Sequence, residues 1–365
     1  MNVVAGRNDF QNGELTRNCL AYGAHSGDLA RFHVPNLGDV NYFTSKSGVT
    51  LVIGDPVCRA AQVQELLSRF LKVLPAACFV QVSEGAAASL SRAGFYVNNF
   101  GVETELPLKS WRCTGPRSHM LRKNMKKAQR AGAEVVEISD NLDQLDECRA
   151  VSQSWLKQTK GTDVELTLLT RPPVFDHEPQ TRKFAAYQAG RAVGVAFFDP
   201  ISASREPRDY VFQIVRSAPD AAPGIGTLLL LSAADQFRSE GIEVLSLGLS
   251  PLSLLPREPF RHSRMTRHML QLFRLLTSRF YNYRGVEFYK SRFDGAARPV
   301  FLCCKSAFAL WQISALANST DMVWSRLRSA RPSWLRLPAQ AARPASLVPA
   351  FSREAPTSAG TVESA

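Results

Sequence analysis

Short apolar runs alternate with amphipathic stretches along most of the chain, and this alternation predicts a mixed α/β layout. In the first part, AACFVQV and FYVNNFGVETELPL have the apolar content of strands. Between the turn-linked strand pair YFTSKSGVTLVIGDP and these strands lies the segment RAAQVQELLSRFLKVL. It places Val63, Leu66, Leu67, Phe70 and Leu71 on one helical face.

The second part repeats this layout. The helix NLDQLDECRAVSQSWLKQT precedes two strands that turn at Gly190 and a long strand, RDYVFQIVRSAP. The helix GIGTLLLLSAADQFRSEG, the buried strand IEVLSLGLSP, the helix MTRHMLQLFRLLTSRFY and the strand ARPVFLCCKS follow. We therefore predict two small α/β units of similar size.

The composition along the chain predicts six segments. They are an N-terminal extension over 1–35, a first domain over 36–115, a helix over 116–132, a second domain over 133–305, an amphipathic segment over 306–328 and a disordered tail over 329–365. The extension is polar and weakly periodic, and the tail is rich in Pro, Ala, Ser and Arg. The amphipathic segment carries Trp311 and Trp324; packing on the domain is favoured over lying on a membrane surface.

The charge balance favours an anionic partner. The 365 residues include 44 Lys and Arg against 32 Asp and Glu, a formal net charge of +12. Nucleic acid, an acidic membrane surface or a phosphorylated substrate would suit this charge, and a plain surplus of surface arginine is the alternative.

Cysteine spacing and hydropathy predict a cytoplasmic location. The 7 cysteines are scattered, and neither they nor the histidines show zinc-ligand spacing, so we expect reduced thiols and no metal. The N-terminus does not resemble a signal peptide, and no apolar run approaches the roughly 18 residues of a membrane-spanning helix. We therefore expect any membrane contact to be peripheral.

A basic helix is predicted between Pro116 and Gly132, with a narrow apolar stripe at Leu121, Met125 and Ala128. Its basic residues are Arg117, Arg122, Lys123, Lys126, Lys127 and Arg130. No acidic residue interrupts them, and like charges four residues apart repel each other. A phosphodiester backbone would relieve this repulsion, so the helix is a candidate nucleic-acid contact; a solvated charged face is the alternative.

A second motif joins a strand to a helix through Gly224 and Gly226. Glycines at such a junction let backbone N–H groups approach a phosphate at the helix N-terminus. An ordinary glycine turn is the alternative, and a dinucleotide fingerprint is not supported because Leu229 stands where its third glycine would be. The order of strand, glycine turn, helix and buried strand resembles the acyl-CoA site of the GNAT acyltransferase superfamily.

A third motif carries a resemblance to a known family. The segments LGLSPL (247–252), YNYRGV (281–286) and YKSRF (289–293) resemble, in this order, the C-terminal catalytic region of the lysylphosphatidylglycerol synthase (phosphatidylglycerol lysyltransferase) family. The GDP turn at 54–56, the basic helix, Trp155-Leu156 and PDAAPG agree in order, and the resemblance covers about 40–305. It implies two GNAT-like mixed-sheet domains side by side, joined by the basic helix.

The resemblance implies an acyltransferase. Members of that family move an aminoacyl group from charged tRNA onto a lipid head-group hydroxyl, which implies aminoacyl-tRNA as co-substrate, no cofactor, and action on phosphatidylglycerol at the cytoplasmic membrane face. The alternatives are transfer, from aminoacyl or acyl-CoA donors, to a soluble small-molecule amine or alcohol, and a non-catalytic double-GNAT module that binds RNA or membrane.

The resemblance also implies roles for individual residues. Lys290 or Arg292 would stabilise negative charge on the reacting oxygens in a tunnel between the domains, with Glu287 positioning the lysine; a lysine that snorkels beside the aromatic residues is the alternative. Arg216 is a further predicted catalytic residue. The predicted substrate-binding residues are Gln213, Gly224, Gly226, Gly248, Tyr281 and Asn282, and the basic helix would hold the acceptor arm of tRNA.

The chain departs from the family at one position. The family's Asp-x-x-Arg element on the strand before the glycine turn reads Gln213-Ile-Val-Arg216 here, and Asp209 does not align. The arginine is kept without the acid, so we expect the aminoacyl ammonium group to be recognised differently. This departure argues against lysine as the transferred residue.

Overall fold

A computed structural model of the chain describes residues 16–17, 19–20, 29–160, 171–201, 206–253, 258–278 and 281–319. The strands are β1 (Ala30–Val34), β2 (Gly38–Thr44), β3 (Thr50–Ile53), β4 (Val57–Cys58), β5 (Cys78–Val82), β6 (Tyr96–Pro107), β7 (Ala133–Glu137), β8 (Arg182–Gln188), β9 (Arg191–Pro200), β10 (Asp209–Ser217), β11 (Val244–Pro251) and β12 (Ala296–Cys304). The helices are α1 (Val63–Val73), α2 (Glu84–Arg92), α3 (His119–Arg130), α4 (Leu142–Lys160), α5 (Ile225–Ser239), α6 (Arg264–Thr277), α7 (Tyr283–Ser291) and α8 (Leu310–Ser319).

Within these described ranges, the strands form one 12-stranded mixed sheet. Its order is β1-β2-β3-β5-β12-β6-β11-β10-β9-β8-β7, and β4 pairs with β2 beside this path. Strands β1 to β5 occupy one end and strands β7 to β11 the other. The mixed sheet and the helices that pack on it confirm the predicted mixed α/β class. The last strand, β12, lies between β5 and β6 and is antiparallel to both. The domain boundaries stay a prediction.

The core of the second half is built around α5. Its run Leu228–Leu231 is buried on every side, as expected of a helix that packs on both a sheet and another helix. The partner helix is α3, which buries Leu121 and Ala128 in the same cluster with Met125 packed beside them. This confirms the apolar stripe predicted for the basic helix.

The first half has its own core. Helix α1 buries the predicted face of Val63, Leu66, Leu67 and Phe70 against the sheet. The Phe70 ring meets the edge of Phe79 on β5, with ring centroids 6.0 Å apart. Burial of this face removes apolar surface from water and fixes α1 on the sheet.

The two ends of the described chain differ from expectation. Strand β1 lies within the predicted polar extension. Its residues ARFHV alternate, and Phe32 and Val34 pack on the core, but a run of 5 residues in a polar segment was too short to be recognised. In the predicted amphipathic segment, α8 buries Ile313 and Leu316, which agrees with packing on the domain. Trp324 and the predicted tail 329–365 lie outside the described residues.

Candidate active site

The parallel pair β10 and β11 divides near the middle of the sheet. The strands pair only from Asp209 opposite Val244 to Val211 opposite Ser246. Beyond that point β10 follows β9 and β11 follows β6, and a bulge interrupts each of these ladders. Backbone groups of the two strands are thereby released from mutual pairing, which creates a position where a substrate can approach main-chain donors and acceptors.

Gly248 lies in the bulge of β11 and has a positive φ of 73°. A Cβ atom at this position would lie 3.6 Å from the Phe212 carbonyl oxygen and 3.9 Å from Lys290 Nζ. Glycine therefore allows the positive φ beside the point where the strands divide. The predicted site residue Gly248 and the predicted catalytic lysine are neighbours in the structure.

Lys290 points from α7 onto β11. Its Nζ atom donates a hydrogen bond to the Leu249 carbonyl oxygen at 2.7 Å. Burial lowers the pKa of the Lys290 ammonium to about 8, and the nearby Glu103 carboxylate opposes that shift. Phe293 fixes the chain just after α7. It is fully buried, and its carbonyl oxygen accepts a 2.6 Å hydrogen bond from Trp111 Nε1. The lysine is therefore held against the strand.

Glu103 is a site residue that sequence reasoning missed. It lies on β6 opposite Leu249, the residue whose carbonyl accepts from Lys290. Its Oε1 accepts a hydrogen bond from Gln81 Nε2 at 2.7 Å, and its Oε2 accepts from Cys19 Sγ at 3.2 Å. Burial raises the pKa of the Glu103 carboxyl group, and these two hydrogen bonds oppose the shift. In the sequence, Glu103 stands in the alternating stretch VETELP, and nothing there marks it as a site residue.

Gln81 has an unusual backbone for a strand residue. It lies in β5 with a positive φ of 58°, a conformation that costs free energy for any residue other than glycine. Its side chain is buried and donates to Glu103. Strained positions that persist are concentrated at functional sites, so Gln81 supports the assignment of this cluster as a site.

Glu287 and Arg292 lie apart from the Lys290 ammonium contacts. The Glu287 carboxylate accepts from Ser253 Oγ at 2.9 Å and from Arg274 Nη2 at 3.3 Å. Neither hydrogen bond involves Lys290, which Glu287 was predicted to position. The Arg292 guanidinium stacks over the Phe288 ring, 4.3 Å from its centroid. Glu103 takes the place beside the lysine that was predicted for Glu287.

Arg216 and Gln213 occupy different surroundings on β10. Arg216 is buried, donates to Ser152 Oγ on α4, and lies over the Trp155 ring at 5.0 Å from its centroid. Gln213 is half-buried at the bulge of β10, where the pairing with β9 shifts register. The acidic residue of the family's Asp-x-x-Arg element would occupy this bulge, beside the point where β10 and β11 separate.

Gly224 at the start of α5 is explained by its packing. It has a φ of 102°, and a Cβ atom there would lie 2.7 Å from the Asn124 carbonyl carbon of α3. A Cβ atom at Gly226 would lie 3.2 Å from a methyl group of Val215. Close helix approach is sufficient to require Gly224, and phosphate binding at these glycines stays a prediction.

Replacing Gly224 by Ala is expected to lower the free energy of unfolding by about 3 kcal/mol, since it combines a left-handed backbone with an overlap against the α3 backbone. The control is Gly190→Ala, which also has a positive φ but has open space around it, and which should cost about 1 kcal/mol. Urea unfolding of the two variants measures both values. Equal losses would show that α3 does not pack closely on Gly224.

Tyr281 and Asn282 shape the start of α7. Asn282 caps the helix, because its side-chain oxygen accepts a hydrogen bond from the Gly285 N–H at 2.8 Å. The Tyr281 ring lies 4.7 Å from the ring of Tyr283, whose hydroxyl is 2.8 Å from Thr277 Oγ1 on α6. The observed role of both residues is to fix α7, which carries Lys290; substrate contact stays a prediction.

Four exposed basic residues of α3 have no acidic partner among the described residues. Arg122 donates to the Cys113 and Gly115 carbonyl oxygens, and Arg117 pairs with Asp294. Lys123, Lys126, Lys127 and Arg130 are exposed, and in the described part of the chain none of these four forms an ion pair. An uncompensated positive surface remains along this helix.

The mixed sheet, whose central parallel pair separates into two directions, agrees with the GNAT-like fold predicted from the sequence. A profile of the family "Phosphatidylglycerol lysyltransferase, C-terminal" matches residues 14–304. The chain belongs to this family, which confirms the resemblance found in its sequence. No helix among the described residues is long and apolar enough to cross a membrane.

Individual relatives are distant. Phosphatidylglycerol lysyltransferases from two strains of Staphylococcus epidermidis are 20% identical over 308 residues, which is 81% of this chain and 35% of theirs. This chain thus spans about a third of the length of the curated relatives it matches.

Solved structures share the fold. L-PGS from Bacillus licheniformis has a TM-score of 0.69 at 18% identity, covering 88% of this chain and 99% of that one. The C-terminal domain of a putative lysylphosphatidylglycerol synthetase from Agrobacterium fabrum has a TM-score of 0.61 at 21% identity, covering 81% and 89%.

Proposed function

We propose that the chain is an aminoacyl-tRNA-dependent acyltransferase that moves an aminoacyl group onto a phosphatidylglycerol-type head group at a membrane surface. The observation that carries this proposal is the Lys290 ammonium, held beside the dividing strands next to Glu103. Family membership supplies the reaction class. The lipid and the tRNA are part of the proposal.

The proposed reaction exchanges one ester for another. The head-group hydroxyl oxygen bonds to the carbonyl carbon of the aminoacyl ester, and the bond from that carbon to the tRNA ribose oxygen breaks. The hydroxyl proton ends on the released ribose oxygen. Negative charge develops on the carbonyl oxygen and then on the leaving oxygen, and a fixed cation in a water-poor site stabilises that charge far better than water does. Lys290 fits this role.

Glu103 provides a carboxylate at the site in the absence of the family acid at Gln213. It carries negative charge close to Lys290 and is fixed by Gln81. The aminoacyl group brings an ammonium that needs an anionic or hydrogen-bonding partner when it leaves water. We therefore assign Glu103 to Lys290 positioning and to recognition of that ammonium.

This chain has Gln213 where the family has an acidic residue. That difference also favours a second candidate, a non-catalytic module that binds RNA or membrane. Release of free tRNA from aminoacyl-tRNA separates the candidates. Release that requires vesicles of phosphatidylglycerol supports lipid transfer, whereas binding of tRNA without release on any acceptor supports the module. Consumption of acetyl-CoA without aminoacyl-tRNA would replace the proposed donor by a coenzyme A ester.

The transfer rate is expected to fall as the pH rises through about 8, because the Lys290 ammonium, whose pKa is lowered to about 8, then loses its proton. Below this pH the cation is present and the rate is level. Glu103→Gln removes the anion that favours the ammonium, so the decline should move about one pH unit lower. Single-turnover rates, corrected for spontaneous ester hydrolysis, measure the profile.

The control for this profile is Lys290→Arg. Its guanidinium stays protonated across the range, so the decline near pH 8 should vanish even where the rate is lower. A decline that persists unchanged in Lys290→Arg would assign the titration to another group.

A further inference from the structure

Helix α6 exposes a row of large apolar side chains. Met265, Leu272, Leu275 and Leu276 are exposed by 56%, 54%, 73% and 56%. Their spacing places them on one side of the helix, which we call the α6 surface. No part of the chain that the structure describes covers this row. Contiguous exposed apolar side chains of this size mark sites of interaction.

The α6 surface is not needed for the core. The neighbouring side of the helix performs that role, since Leu270 is buried and Met269 and Phe273 pack against the same cluster. The apolar side of the helix is therefore wider than the part that contributes to folding. The outer side requires a different explanation.

The charge around the α6 surface identifies the chemistry of its partner. Residues 259 to 286 contain no Asp or Glu. Their basic side chains include Arg261, Arg264, Arg267 and Arg284, whereas Arg274 pairs with Glu287. An apolar row with arginines beside it is typical of a helix that lies in the interface of an anionic lipid bilayer, where apolar side chains enter the acyl boundary and arginines meet phosphates.

Helix α8 extends this surface. It contacts α6, and the residues Phe308, Leu310 and Trp311 at its start are exposed by 46%, 44% and 70%. Trp is favoured where an apolar environment meets water, as at the level of lipid head groups. This exposed apolar group thus lies on a segment that contacts α6.

Hydrogen bonds connect α6 to the candidate active site. Arg274 Nη1 donates to the Leu252 carbonyl oxygen at 2.7 Å, directly after β11, and Nη2 donates to Glu287 on α7. Thr277 at the end of α6 bonds to Tyr283 at the start of α7. Anything that holds α6 therefore also orients the helix that carries Lys290.

We infer that the α6 surface rests on an anionic phospholipid bilayer and presents the Lys290 site to lipid head groups. That this contact serves catalysis rests on the proposed function, whereas the contact itself does not. It assigns membrane contact to α6, with α8 at its edge, instead of to the predicted segment 306–328 as a whole.

The test is co-sedimentation of the full chain with vesicles of phosphatidylglycerol and phosphatidylcholine in equal amounts. Leu275→Gln with Leu276→Gln should weaken binding by at least about tenfold, because two apolar side chains no longer enter the lipid. The matched control is Val73→Gln with Leu142→Gln, whose side chains are exposed by 62% and 57% elsewhere, and which should bind as the unchanged protein does. Thermal unfolding checks that each variant is folded.

Further measurements distinguish an anionic bilayer from other partners of the α6 surface. They also distinguish the membrane contact from the proposed function. Vesicles of phosphatidylcholine alone should bind more weakly than the anionic ones. Lys290→Ala should keep full vesicle binding. If the unchanged protein binds vesicles through α6 but transfers no aminoacyl group, the proposed function is refuted and the membrane contact stands. Vesicle binding unchanged in the α6 variant would overturn the inference. Loss of a dimer in that variant, without vesicle binding by the original protein, would assign the surface to a second copy and also overturn it.

Discussion

Replacing Lys290 by Ala is expected to reduce the rate of aminoacyl transfer by about a hundredfold to a thousandfold, the effect of removing one preorganised charge from an oxyanion site. The ammonium is partly buried, is hydrogen-bonded to the Leu249 carbonyl oxygen, and has the Glu103 carboxylate nearby. Water that fills the vacated space would have to reorient during the reaction, whereas the lysine is already in place. The measurement is the single-turnover rate with saturating acceptor.

The control for this prediction is Lys305→Ala. Lys305 also donates to a backbone carbonyl, that of Ala93, and lies over the Phe95 ring at 4.7 Å from its centroid. It thus matches Lys290 in its hydrogen bond to a backbone carbonyl without belonging to the site, so its removal should leave the rate within about twofold. Equal rates for the two variants would remove Lys290 from catalysis.

Reversing the charge of Lys123, Lys126 and Lys127 to Glu is expected to weaken tRNA binding by about a hundredfold at low salt. The three lysines are exposed on α3 and have no ion-pair partner among the described residues. Each that contacts a phosphate contributes through counterion release, so the slope of log K against log salt should fall by about three. Filter binding across a salt series measures both quantities.

The matched control for α3 reverses Lys46, Lys72 and Lys109 instead. These lysines are also exposed, and the change in net charge is the same. Binding that depends on overall charge alone would weaken equally in both triple variants. Such a result would remove α3 as the tRNA contact.

The predictable part of the fold consists of elements whose pattern is local. The buried face of α1 and the apolar stripe of α3 could be read from the sequence because helical spacing separates inward from outward residues. Helix α5 was also predicted, although its run Leu228–Leu231 is buried on every side and has no such spacing. Strand β1 was missed because its alternation is only 5 residues long and lies in a polar segment.

The candidate site was only partly predictable, because its contacts are made between distant segments. Lys290 and Gly248 could be found from motifs that resemble a known family, and the structure makes them neighbours. Glu103 and Gln81 come from strands of the first half, and their relation to Lys290 depends on how the strands are ordered around β12. No local pattern encodes that order.

Glu287 illustrates a limit of assigning roles from a resemblance. The resemblance implied that Glu287 positions Lys290, but its carboxylate accepts from Ser253 and Arg274. Two side chains on one helix can face different neighbours when the surrounding elements offer a better partner. The acid beside Lys290 comes instead from β6.

The most direct test of the central claim is mass spectrometry of the lipid extract after the protein is incubated with a pool of aminoacyl-tRNAs and phosphatidylglycerol vesicles. We expect a lipid whose mass equals phosphatidylglycerol plus one aminoacyl residue, which also identifies the amino acid. The product should be lost with Lys290→Ala and retained with Lys305→Ala. An extract that contains only unmodified phosphatidylglycerol, while the tRNA stays charged, would contradict the proposed transfer.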